Sequence, residues 1–313
     1  MRLRPLLAAV LLALALSGPA LAQSPFTHIV RSGETLASIA QRYYGDPRRE
    51  TVLVTENGLD AQGVPIVVGL RLVVPSVAYH RVRAGETWAS IAERYYGDAR
   101  RAFVLVEANH GSQDQPSEGA ELVIPYPLRH VAGPSDTVQR LAAAYYGTDA
   151  PENIARLRRF NGLGGNHLDR GQIVLVPLVD LTLSEEGKRL VAVETGHAAS
   201  GGEIRALQES IAAQLPGLGE HVRRGRYVEA IALGHRLLGT GQLTGNQVVT
   251  IQRELGTAFV AIGREDLAVR AFRAALQRQP DLELDSVRTS PVVMRAFLRA
   301  KEEEAAARRA PRR

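Results

Sequence analysis

The segment GETLASIAQRYYGDPRR at 33–49 returns as GETWASIAERYYGDARR at 85–101 and, altered, as SDTVQRLAAAYYGTDAP at 135–151. The intervals are 52 and 50 residues. Repetition in one register means that a single small unit, with one order of elements, is built three times in nearly half of the 313-residue chain.

Each copy begins with a short alternating run, HIVRSG, HRVRAG or HVAGPS, that reads as a strand. A helix follows at once. Thr35, Thr87 and Thr137 stand where a hydroxyl accepts from the first free helix N–H groups, an N-cap whose loss costs about 1 kcal/mol. Glu34, Glu86 and Asp136 place negative charge at the same end. Leu36, Ile39 and Ala40 recur as Trp88, Ile91 and Ala92, then as Val138, Leu141 and Ala142, an apolar face at i, i+3, i+4. Gly45, Gly97 and Gly147 stop the helix, and the tyrosine pair before each glycine is expected to pack at the helix end, one ring inward and one at the surface. A second short helix ends at Asn57, Asn109 and Asn161. GLRLVVP, GAELVIP and GQIVLVP then form half-buried strands whose closing proline cannot extend the ladder. His28, His80 and His130 share one strand column, but they lie in separate units and cannot converge on one metal, so the expectation is strand packing.

These residues resemble the LysM family, whose pattern runs Tyr-x-Val-x-x-Gly-Asp-Thr-Leu, a short helix, an Asn-x-Leu turn and Pro-Gly-x-x-Leu-x-Ile-Pro. The resemblance covers modules at 26–76 and 78–126 and a divergent one at 128–178. It implies a two-stranded antiparallel sheet with both helices on one face, and a shallow groove for glycans containing N-acetylglucosamine, peptidoglycan among them. In the family that groove lies between the first strand–helix loop and the second helix–strand loop. Carried over, it selects Gly33, Glu34, Thr35 and Leu36 with Asn57, Gly58 and Leu59; Gly85, Glu86, Thr87 and Trp88 with Asn109 and His110; and Asp136, Thr137 and Val138 with Asn161, Gly162 and Leu163. An N-acetyl group presents one N–H, one carbonyl and one methyl, which a backbone corner beside a small apolar floor can read. Glycine at the corner lets a sugar approach the main chain closely. Trp88 stands at the pattern's leucine position, where core packing is favoured over sugar stacking. The histidines replace the family's aromatic residue. In the third copy Ser135 replaces the corner glycine, Ala132 the valine, and Pro134 precedes the corner, so that site is expected to be weak or structural.

Beyond Pro177 the chain reads as a linker at 179–202, with a helix capped by Ser184 inside it and a Gly/Ser/Ala-rich stretch near 197–202. From 203 it turns helical. Leu255, Gly256, Phe259, Ala268, Phe272, Ala275 and Pro280 are spaced as in a tetratricopeptide repeat (TPR), which this segment resembles. Gly225 and Ala230 lie 38 residues before Gly263 and Ala268 and suggest a divergent preceding repeat. A helix opening at Pro291 caps the stack, giving a TPR-like region at 203–300 and a charged tail at 301–313. The expected fold class is α+β: three tandem βααβ LysM modules followed by an all-α TPR-like helical hairpin domain.

Arg2 and Arg4 before PLLAAVLLALAL, and SGPALAQ after it, have the layout of a secretory signal at 1–22 cleaved after Ala22. The expectation is an exported, periplasmic or secreted protein. The apolar run is shorter than the roughly 20 residues a membrane span needs, so no transmembrane segment is expected. With no cysteine there is no disulfide, thiolate metal site or lipidated cysteine. Without Arg2 and Arg4, 36 basic residues face 33 acidic ones with the signs interspersed, which speaks against a nucleic-acid partner. A cysteine peptidase is excluded, and neither a His-Glu-x-x-His run nor a Gly-x-Ser-x-Gly elbow occurs. Glu209-Ser210 resembles the acid of lytic transglycosylases but lacks their accompanying motifs. No enzyme, cofactor or metal is expected. The favoured function is a non-catalytic peptidoglycan-binding protein of the envelope that tethers a helical protein-interaction module. The alternative is an envelope assembly scaffold whose TPR-like part carries the function. A third class, the Tyr-Tyr-Gly LysM variants of ion-responsive and phage-tail proteins, is disfavoured by the signal.

Overall fold

In a computed structural model, which describes residues 26–59, 66–111, 115–195 and 201–309, each repeat takes the order strand, helix, helix, strand. The secretory reading of 1–22 lies outside the described residues. The first repeat is β1 (Phe26–Ile29), α1 (Leu36–Tyr44), α2 (Glu50–Glu56) and β2 (Arg71–Val74). The second is β3 (Ala78–Arg81), α3 (Trp88–Tyr96), α4 (Ala102–Ala108) and β4 (Glu121–Ile124). The third is β5 (Tyr126–Val131), α5 (Val138–Tyr146), α6 (Pro151–Asn161) and β6 (Ile173–Leu178). The strands of each repeat pair antiparallel, with His28 opposite Leu72, His80 opposite Leu122 and His130 opposite Val174.

Local chemistry accounts for the helices. Thr35 and Thr87 form capping boxes with Ser38 and Ser90, each side chain accepting the other's backbone N–H. Thr137 caps by one bond, because Arg140 replaces the serine. Gly45, Gly97 and Gly147 end the first helices in the left-handed region, at φ of 75°, 67° and 77°. In the first two repeats Asp46 and Asp98 then cap a single 3-10 turn that leads into the second helix.

In each tyrosine pair one ring is buried (Tyr43, Tyr96, Tyr145) and the other half-buried (Tyr44, Tyr95, Tyr146), and both are hydrogen-bonded. The first of each pair faces the strand histidine. The second donates its hydroxyl to the carbonyl of the closing proline: Tyr44 to Pro75, Tyr96 to Pro125 and Tyr146 to Pro177. Tyr-Tyr-Gly thus ties the helix end to both strands.

The repeats pack against one another around the third. Val52 of α2 and Val77 enter its core, and Phe160 of α6 enters the core of the second repeat. Thr55 meets the Tyr145 hydroxyl at 2.8 Å, Tyr126 donates to Glu56 at 2.7 Å, and Arg156 pairs with Glu107 at 2.9 Å. Arg159 stacks over Phe103 at 4.0 Å. From β6 the chain returns to the first repeat, where Ser184 donates to the Arg42 carbonyl at 2.7 Å and caps α7 (Glu185–Thr195) through the Gly187 N–H. Leu183, Leu190 and Val191 then pack on the first core.

The C-terminal region is α8 (Glu203–Arg223), α9 (Tyr227–Leu238), α10 (Gly245–Ala261), α11 (Glu265–Arg278) and α12 (Pro291–Arg309) around one core. Small residues set the helix spacing: a Cβ on Gly256 would lie 2.5 Å from the Phe272 ring, and one on Gly234 2.7 Å from Leu255. The helix α12 runs through 301–309, which the sequence reads as tail, because Glu304 is buried among Arg273, Gln277 and Arg308. This region docks on the second repeat. Gln208 bonds the edge of β4, Glu121 accepts from Gly202 and Arg205, and Gly245 donates to the Glu118 carbonyl at 2.6 Å.

Candidate functional site

Around each first strand–helix corner the same polar network recurs. His28 Nε2 lies 2.8 Å from Glu34 Oε2 and its Nδ1 3.0 Å from the Tyr43 hydroxyl. His80 joins Glu86 at 2.6 Å and Tyr95 at 3.3 Å; His130 joins Asp136 and Tyr145, each at 2.9 Å. The same carboxylates accept the corner N–H of Arg31, Arg83 or Gly133, so the acid ties the loop to the strand below it. Arg42 and Arg94 reach the other oxygen of Glu34 and Glu86. Burial pushes these carboxyls up, but the backbone N–H, the histidine and the arginine outweigh it. Glu34 is held down to about 2, and Glu86 and Asp136 lie below their ordinary values.

Asn57, Asn109 and Asn161 act as an extra strand residue. Asn57 Nδ2 donates to Leu53 and Val73 carbonyls at 2.8 and 2.9 Å, and its Oδ1 accepts the Val73 N–H at 2.7 Å. Asn109 does the same with Leu105 and Val123, and Asn161 with Leu157 and Leu175. Both amide protons are engaged, so these residues shape the second loop and have no donor left for a sugar. Nothing in their spacing announced this; the strand edge lies 14 to 16 residues away.

The two loops meet in each repeat. Leu36 and Leu59 pack on the same core in the first, beside exposed Gly33 and Gly58. In the second, Trp88 is 8% exposed, and a Cβ on Gly111 would lie 2.8 Å from its ring, so Trp88 forms the floor as core packing predicts. Exposed His110 stands left-handed at φ 49° where the other repeats have Gly58 and Gly162.

The third corner differs. Gly33 and Gly85 turn at φ of 82° and 78°, with open space where a Cβ would stand, while Ser135 needs no positive φ. Its carbonyl accepts from Arg140 at 2.9 Å. Val138 N–H donates to the Asn166 carbonyl at 3.0 Å, and Thr137 bridges to His167. The loop beyond Gly162 and Leu163 therefore pairs with the corner backbone and engages polar groups that a ligand would need.

Among the described residues no group of three or more His, Asp or Glu is placed to hold a metal ion, and no helix is long and apolar enough to cross a membrane. Glu209 is ion-paired with Arg205 at 3.0 Å on the surface of α8.

The LysM domain family matches residues 28–75, 80–125 and 130–177. Over 152 residues the chain is 31% identical to Esterase Rv1288 of Mycobacterium tuberculosis strain H37Rv and to Esterase MT1326 of strain CDC 1551, a stretch covering 48% of this chain and 33% of each relative. It is 41% identical over 49 residues to Elastin-binding protein EbpS of Staphylococcus aureus, covering 16% of this chain and 10% of that one. The chain thus spans a third of the length of the esterase-named relatives. No solved structure matches.

Proposed function

From the premise that this chain carries three tandem LysM domains, we propose that it binds peptidoglycan, or another polymer containing N-acetylglucosamine, in the cell envelope and performs no catalysis on it. The observation that carries this reading is the glycine corner of the first two repeats, exposed, left-handed and braced from below by the Glu–His–Tyr network. A brace of that kind holds backbone groups in a fixed array before ligand arrives, which lowers the ordering cost of binding. The secretory layout of 1–22 supplies the route to the envelope. The esterase activity in the relatives' names belongs to chains three times as long as the matched stretch.

The test is retention of the full mature chain on purified peptidoglycan, beside a Gly33→Val/Gly85→Val variant checked by circular dichroism. Retention is expected for the native chain and mostly lost in the folded variant. A native chain that washes through contradicts the reading.

A second reading, in which the helical region carries the function and the repeats localise it, is favoured by one feature. A cleft of about 770 Å³ opens between the end of α8, the start of α9, α10, the 283–290 segment and the start of α12, lined by Val222, Tyr227, Arg253, Thr257 and Val293. A TPR-like stack presents a protein partner with such a concave face. Under this reading Tyr227→Ala fails to complement a deletion mutant while leaving peptidoglycan retention intact.

A further inference from the structure

We propose that the first two repeats prefer N-acetylhexosamine polymers bearing carboxylates over neutral ones, with Arg31 and Arg83 as the side chains that contact the carboxylate. The inference rests on the glycan reading above and specifies its substrate class.

Arg31 and Arg83 stand two residues ahead of Gly33 and Gly85. Their backbone N–H groups donate to Glu34 and Glu86 at 2.8 and 2.9 Å, which fixes where each side chain leaves the corner. Both residues are exposed, and among the described residues neither guanidinium makes an ion pair. The arginines that do pair with these corner acids are others: Arg42, shared between Glu34 and Glu186, in the first repeat and Arg94 with Glu86 in the second. An exposed guanidinium outside any ion pair therefore stands beside each open corner.

The third repeat is an internal comparison. Its corner is engaged by Arg140 and by the Asn166 carbonyl, and at the position of Arg31 and Arg83 it has Gly133. An arginine at this position occurs in the two copies whose corner is open and not in the third, where the nearby guanidinium, Arg140, is tied to the Ser135 carbonyl. A fold-stabilising role for the guanidinium would not follow that division, since the carboxylate of the third repeat is anchored by the same backbone bond without it.

A neutral N-acetylglucosamine polymer offers a guanidinium no anion. Peptidoglycan does, either on its stem peptides or, once those are removed, on the lactyl group of the sugar itself. The planar fork of arginine matches a carboxylate in a bidentate pair. At an exposed site the gain is modest and is screened by salt.

The experiment compares the full native chain with Arg31→Gln/Arg83→Gln on three immobilised polymers: intact peptidoglycan, glycan strands stripped of peptides by an amidase, and chitin. At about 20 mM salt the double variant is expected to lose about threefold to tenfold in affinity for the carboxylate polymers, with chitin unchanged and the gap narrowing near 300 mM. Loss confined to intact peptidoglycan assigns the contact to the peptide, and loss confined to stripped strands assigns it to the lactyl group. Arg31→Lys/Arg83→Lys is expected to restore part of the affinity. Equal affinity of native and variant on all three, or an equal loss on all three, overturns the inference and leaves the glycan reading standing. A native chain retained by none of them overturns both.

Discussion

Gln208 accepts the backbone N–H of Glu121 at 3.0 Å, and the Glu121 carboxylate in return accepts the Gly202 and Arg205 N–H groups at the start of Gln208's own helix. The Gln208 amide also donates to the Gly119 and Gln242 carbonyls, and Gln247 donates to the Gln208 carbonyl. With its side chain buried, Gln208 completes the edge of β4 as a neighbouring strand would. Gln208→Leu strands those groups and is expected to cost about 1–3 kcal/mol in the full chain. Denaturant unfolding followed by Trp88 fluorescence and by far-ultraviolet circular dichroism checks this. Coincident transitions in the native chain should separate in the variant, and unchanged midpoints would refute a stabilising interface.

Acid should loosen the repeats through Glu34, Glu86 and Asp136. Their folded pKa values lie below the ordinary ones, so their contribution is complete above about pH 4.5 and is lost as pH falls towards 2, the value at which Glu34 protonates. For Glu34 the contribution is on the order of 1–2 kcal/mol once solvent screening is allowed for. Glu34→Gln should flatten the decline of stability between pH 4.5 and 2, measured by urea midpoints across that range.

His110 holds a left-handed conformation that glycine takes at Gly58 and Gly162. A side chain there costs about 1 kcal/mol, so His110→Gly should raise the stability of the second repeat by about that amount. An unchanged or lower denaturation midpoint would show that the imidazole makes a compensating contact.

Gly111 faces Trp88, the only tryptophan in the chain. Gly111→Ala places a methyl 2.8 Å from the ring as it now stands, so the ring or the loop must move. A shifted emission maximum and weaker glycan retention are expected, with overall helicity unchanged. A spectrum identical to the native one would show that the loop yields freely.

What the sequence disclosed were contacts made close at hand. Thr35 as a cap, Gly45 as a stop and the alternation before Pro75 act within a few residues, and each stands in the structure where its chemistry requires. The sugar-facing assignment of Asn57, Asn109 and Asn161 came by family likeness, and their amides turn out to be engaged on a strand edge. The division of labour within each tyrosine pair has no local signal, because the proline carbonyls that Tyr44, Tyr96 and Tyr146 reach lie 29 to 31 residues on. Phe160 and Gln208 carry still longer contacts, into the second repeat, and no periodic pattern marks them. A glutamine on a helix reads as solvent-facing until the strand edge beside it is known.

Because Val52 and Val77 pack in the core of the third repeat and Phe160 in that of the second, the two open corners belong to units that interlock through shared cores. A loosely strung pair of modules gains most from a polymer when the reach of its linker matches the spacing of two sites, and less as the linker lengthens. Under the glycan reading proposed above, a locked pair would act as a gauge: strands whose repeat distance and twist bring successive residues to both corners would be held twice, and others once. The most altered copy, the third, is the part that sets the gauge.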